Sequence, residues 1–247
     1  MSANRPAPAK AARRGARRRL AEAPRHALST RLWHWLNFAC LVILFMSGLG
    51  ISNAHPWLYW GESGFLPREA WLAAPKFPEW ATIPGYYSLA EARLWHLFAA
   101  WPFALGLTLY LLAALASGHL RRDIATGRDD WRWHAIREDL AKHLKLDFAG
   151  HEGRYNFAQK LLYGLVLFIG LPLMIVTGLA MSPGLGSWDW LTGVFGGRQS
   201  ARSLHFLTAW ALFGFFLVHI LAVLLSGPVG QVRAMLTGGR AMAGQPA

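Results

Sequence analysis

Charge is scarce in this sequence. Asp, Glu, Lys and Arg make up 15% of its 247 residues, and the acidic members number 13 against 25 basic ones. An ordinary soluble domain carries about 25% charged residues, so that class is excluded. Cysteine occurs once, at Cys40. A single thiol excludes an intrachain disulfide, a cysteine zinc cluster, an iron–sulfur site and a covalent CxxCH haem linkage within this chain. In four stretches charge is missing altogether: residues 32–61, 94–120, 161–188 and 203–232.

What fills those stretches is apolar, and hydrophobic residues reach 54% overall. Each stretch exceeds the roughly 18 apolar residues that read as a membrane-spanning helix. The pattern predicts an all-α, polytopic membrane protein, a four-helix bundle with spans near 33–52, 95–117, 161–181 and 204–226. Pro102 and Pro172 fall inside spans, where neighbouring helices can satisfy the freed carbonyls. Residues 1–30 read as a disordered basic tail, 31–235 as the transmembrane domain and 236–247 as a second tail.

The basic residues orient the bundle. Segments 1–31, 119–160 and 227–247 hold 9, 9 and 2 of the 25 Lys/Arg, and the remaining five lie in 53–93 and 183–202. The positive-inside rule therefore places both termini and the middle loop in the cytoplasm of a bacterial inner membrane. The net charge of +12 is read as a topology signal and not as a nucleic-acid footprint. The run Arg13–Arg19 lies in a tail beside anionic lipid. It is followed by no small-residue cleavage site of the kind an export signal needs.

Four histidines sit on apolar runs: His34, His96, His205 and His219. His205 and His219 are fourteen residues apart on one run, a spacing that turns a helix almost a whole number of times and rises about 21 Å. Their rings share a face at two depths. A lone intramembrane histidine can simply hydrogen-bond a neighbouring helix. Four together point to a functional interior, because polar groups at depth are costly. Depth pairs His96 with His205 near the periplasmic side and His34 with His219 near the cytoplasmic side. Four imidazoles at two depths suit two stacked, bis-histidine, non-covalently bound haems. Three of them have an arginine at i−3, on the same helix face: Arg31, Arg93 and Arg202. Those guanidiniums suit haem propionates, and they equally suit snorkelling at helix ends. The remaining histidines, His26, His55, His119, His134, His143 and His151, fall in loops, span edges or the tail.

An internal repeat runs through the chain. Span one ends SGLGIS (47–52) and span three ends TGLAMS (177–182). Arg93-Leu-Trp-His96 and Arg202-Ser-Leu-His205 begin spans two and four, and each histidine is followed twenty-one residues later by Ser-Gly. Two helical hairpins related by duplication would explain this, although in that alignment His34 falls opposite Gly164 and His219 opposite Tyr110. Small residues Ser47, Gly48, Thr177 and Gly178 permit close approach of a macrocycle or a helix.

With these residues the chain resembles the prokaryotic di-haem cytochrome b subunits of membrane-bound hydrogenases and formate dehydrogenase-N. It is most similar to the thiosulfate-reductase-type branch that partners molybdopterin oxidoreductases. The likeness covers about residues 30–235 and rests on RLWHW (31–35), YYSLAEARLWH (86–96), RYNFAQK (154–160), MSPGLG (181–186) and FGGRQSARSLHF (195–206). The resemblance implies that His34, His96, His205 and His219 ligate two b-type haems. It implies a quinone site at the cytoplasmic end around Asn156, with Gln159 and Lys160 within one turn; Asn156 is also a good helix cap. The expected role is electron transfer between a quinone pool and a periplasmic oxidoreductase subunit in a respiratory chain. One alternative is a quinone reductase fed by a small periplasmic donor such as superoxide. Another is a transporter with a histidine proton relay.

Overall fold

A computed structural model of the chain describes residues 28–62, 64, 66–118, 131–134, 137, 157–182, 184, 188–225 and 227–238. Four long apolar helices dominate it, each of a length and composition that can cross a membrane. The first is α1 (Leu28–Ala54) and the second α2 (Leu89–Ala116). The third span is α3 (Phe157–Leu165), a π-helical turn (Val166–Gly170) and α4 (Leu171–Met181) in one rod. A short α5 (Asp189–Val194) leads into the fourth span, α6 (Arg198–Leu225), and α7 (Pro228–Thr237) follows.

The helices start earlier than the expected spans, and in α2 a local cap carries the helix past the apolar core. Ser88 shows how: its Oγ accepts from the Glu91 N–H at 3.4 Å, so α2 begins six residues ahead of its expected start. The π-helical turn has its cause in Pro172. A proline ring clashes with the carbonyl four residues back and donates no hydrogen bond, and a widened turn absorbs both faults. Pro102 sits inside α2 without ending it. The C-terminal tail expected from residue 236 begins inside α7, which continues to Thr237.

Close helix packing lies within two hairpins, α1 with α2 and α4 with α6. Gly106 explains the first: a Cβ there would lie 2.6 Å from Trp33 Cζ3, so only glycine lets α2 approach the indole. Cys40, Phe103, Leu107 and Leu171 form the main buried cluster. Between the hairpins, aromatic rings fill the space. Phe45 and Phe213 stack with centroids 4.4 Å apart and planes 5° from parallel, and Phe38 stacks with Phe216 at 6.3 Å.

At the end of the bundle remote from α7, the loop from 55 to 88 is built, not loose. Trp57–Leu58 (β1) pairs antiparallel with Leu72–Ala73 (β2), a small departure from the all-α expectation. This loop clasps the first turn of α6. Gly61 O accepts from Gln199 N (3.0 Å) and Ser200 N (3.3 Å), and Gly61 N donates to Ser200 Oγ (2.8 Å). Ser203 Oγ donates to Tyr59 O (2.6 Å) and accepts from Trp71 Nε1 (3.0 Å). The fit is tight at Gly197, whose φ is +120° and whose Cβ would lie 2.5 Å from the Gly61 carbonyl. At the opposite end Arg31 and Trp35 of α1 donate to the Met235 carbonyl of α7, each at 3.3 Å. Both ends of the two hairpins are thus tied together. We call them the loop end and the terminal end.

Candidate functional site

Two imidazole pairs bridge the hairpins. At the loop end His96 of α2 faces His205 of α6, with ring centroids 6.2 Å apart and planes at 58°. At the terminal end His34 of α1 faces His219 of α6, with centroids 6.3 Å apart and planes at 56°. Two imidazoles bound on opposite sides of one metal ion place their ring centres roughly 6 Å apart, since each metal–nitrogen bond is about 2 Å and each ring centre lies about 1 Å beyond its nitrogen. Both separations fit one metal ion per pair. Two neutral imidazoles per pair suit a haem, which would supply its remaining nitrogen ligands itself.

Hydrogen bonding at the loop end fixes which nitrogen is free. Ser47 Oγ lies 2.6 Å from Ile43 O and 3.0 Å from His96 Nδ1. A hydroxyl has one proton to give. The carbonyl can only accept it, so toward His96 the serine oxygen accepts, and Nδ1 carries the ring proton. Thr177 repeats the arrangement, with Oγ1 2.6 Å from Leu173 O and 2.9 Å from His205 Nδ1. Both rings consequently present a bare Nε2, the lone pair that a metal ion needs, held by an outer hydrogen bond. Ser47 and Thr177 are both fully buried. The next residues continue the symmetry: a Cβ at Gly48 would lie 3.6 Å from His96 Cε1, and one at Gly178 3.6 Å from His205 Cε1. Sequence reasoning read these small residues as space for close approach and missed the acceptors. The repeated hydroxyl of SGLGIS and TGLAMS was the available signal.

The three arginines have protein partners. Arg31 Nε donates to Met235 O and Nη2 to Leu236 O, capping the end of α7. Arg202 Nη2 donates to the His55 carbonyl at 2.7 Å and also to Trp57 O, and its Nη1 to Gln199 Oε1 at 3.2 Å. Arg93 Nη2 lies 3.2 Å from His55 Nε2, which accepts from it. His55, read from sequence as a loop residue, joins two of the arginines above the loop-end pair. Partial burial, then the Arg202 and Arg93 guanidiniums, holds its pKa below the ordinary histidine value. Gln159 and Lys160 stand at the start of the third span, at the terminal end. Asn156 lies outside the described residues, as do His26, His119, His143 and His151.

The chain is similar to known membrane cytochromes. The family described as prokaryotic cytochrome b561 matches residues 25–238. A probable Ni/Fe-hydrogenase B-type cytochrome subunit of Cupriavidus necator is 26% identical over 236 residues, covering 85% of this chain and 83% of that protein. A putative protein-methionine-sulfoxide reductase subunit, YedZ1 of Azospira oryzae, is 29% identical over 204 residues, covering 79% and 87%. A probable hydrogenase cytochrome subunit of Azotobacter chroococcum is 26% identical over 209 residues, covering 77% and 75%. No solved structure matches the chain at the same stringency.

Proposed function

Because the chain belongs to the prokaryotic cytochrome b561 family, we propose that it is a di-haem electron carrier linking a quinone pool to a redox subunit across the membrane. Membership of this family makes the chain a multi-pass membrane b-type cytochrome of electron transfer, working with an oxidoreductase partner. Two cross-hairpin imidazole pairs, at 6.2 and 6.3 Å, support two haems. In this reading His96 and His205 hold one haem, and His34 and His219 the other. A haem iron with two histidine ligands has no open position and supplies one-electron transfer. Ser47 and Thr177 keep the loop-end ligands in the correct tautomer. Arg93 and Arg202, gathered around His55, offer their charge to propionates at the loop end. Arg31 would do so at the terminal end while holding α7.

The terminal end faces the cytoplasm in this proposal, following the 20-to-5 basic asymmetry. The quinone sits there near Asn156, Gln159 and Lys160, where its protons exchange with water. The redox partner docks at the loop end, over Trp60, Tyr86, Tyr87 and Trp80, the last 83% exposed. A molybdopterin oxidoreductase suits that place, and one relative is named as a subunit of a sulfoxide reductase.

Purified chain should hold two haems. His96→Ala and His205→Ala should remove the same spectral component, while His34→Ala and His219→Ala should remove the other. One haem per chain, or a shared loss in His34→Ala and His96→Ala, overturns the reading. Asn156→Leu should leave both spectra intact and slow haem reoxidation by a quinone analogue several-fold; an unchanged rate moves the quinone elsewhere.

A further inference from the structure

Among the described residues two buried side-chain polar atoms lack a hydrogen-bond partner, His34 Nδ1 and Asn37 Oδ1. They belong to residues three apart on α1, hence to one face of the helix. An unpaired polar atom is more costly in a membrane interior than in a soluble protein, because no bulk water reaches it. Each such group therefore calls for an explanation. The two are chemically complementary. His34 faces His219 across the hairpins, so a ring that offers Nε2 to a metal ion carries its proton on Nδ1 and needs an acceptor. The Asn37 side-chain carbonyl is an acceptor that has no donor. The loop-end histidines already show the pattern, with Ser47 accepting from His96 and Thr177 from His205.

We propose that Asn37 is the positioning residue of the terminal-end pair, its Oδ1 accepting from His34 Nδ1–H through one bound water. This inference rests on the haem reading above. It assigns three of the four histidines an outer acceptor, and it gives a purpose to an amide placed inside a span. An acceptor on Nδ1 makes the imidazole a stronger donor and favours the oxidised iron, so losing it raises the potential of the terminal-end haem alone.

The test is an optical redox titration of the full-length chain in detergent, with both haems resolved. In Asn37→Leu, similar in size but without an acceptor, the terminal-end component should shift toward the reduced form about three- to tenfold at fixed ambient potential. Asn37→Asp, which keeps an acceptor and strengthens it, should shift that component the opposite way. The loop-end component should stay at its wild-type value in both. If Asn37→Leu loads the terminal-end haem poorly, the Asp variant decides: full loading with a lowered potential supports the proposal, and an unchanged potential overturns it. Equal shifts of both components, or none in a fully loaded Leu variant, also overturn it. A wild-type chain whose His34→Ala variant loses no haem refutes the haem reading itself, a result distinguishable from either outcome at Asn37.

Discussion

Removing the hydroxyl that accepts from His205 should raise the potential of one haem and leave the other unmoved. Thr177→Val keeps the shape of the side chain and deletes the oxygen 2.9 Å from His205 Nδ1. The lost bond has a net worth of about 0.5–1.5 kcal/mol. A tenfold change in a one-electron equilibrium is 59 mV, so the full bond corresponds to roughly 20–60 mV. That range is a ceiling, since only the part of the bond that strengthens on oxidation counts. Ser47→Ala acts on the opposite ligand of the same pair through its 3.0 Å contact with His96. The two effects should therefore add in the double variant. Thr177→Ser retains the oxygen and should titrate like the wild type. The assay is potentiometric titration of the purified chain with two resolved components. A shift in the terminal-end component, or none in the double variant with both haems bound, would refute the tautomer assignment.

Other expectations follow from the same geometry. Gly197→Ala places a Cβ 2.5 Å from the Gly61 carbonyl at a φ of +120°, and should cost about 2 kcal/mol or more, read as a lowered Tm in detergent. His55 is held below its ordinary value of 6.5, so its neutral form accepts from Arg93 above that pH and the contact weakens as pH falls through the window below it. Proteolysis of loop 55–88 should accelerate as the pH falls below 6.5, and His55→Gln should remove that dependence. A reporter fused to the C-terminus should behave as cytoplasmic and one inserted near Lys76 as periplasmic; the reverse pattern moves the docking face.

The four spans were legible because charge-free runs of this length have few other uses, and the repeated Ser-Gly ends of spans two and four were legible as a spacing. The depth of the histidines, read from helix rise, also anticipated which rings the structure brings face to face. The acceptors Ser47 and Thr177 were not legible as acceptors. Their role depends on which helix faces meet, and a hydroxyl on a membrane helix has an equally good partner in its own i−4 carbonyl. The loop 55–88 was illegible for a related reason. Its strands are two residues long, and its hydrogen bonds to Ser200 and Ser203 join positions more than 130 apart in sequence. His55 fell with it, since nothing local marks it as the meeting point of Arg93 and Arg202.

The two hairpins end their helices differently. Helix α2 is capped by Ser88, its own neighbour in sequence, whereas the first N–H groups of α6 are satisfied by Gly61, a residue of the opposite hairpin. A chain made from its N-terminus onward inserts its first hairpin before the second exists. The segment that receives α6 is thus already synthesised when α6 leaves the ribosome, and the helix bearing both His205 and His219 meets partners from an earlier part of the same polypeptide. Swapping the order of the halves would remove that advantage while preserving every span. Biogenesis, not the finished bundle, is where a circularly permuted chain should fail.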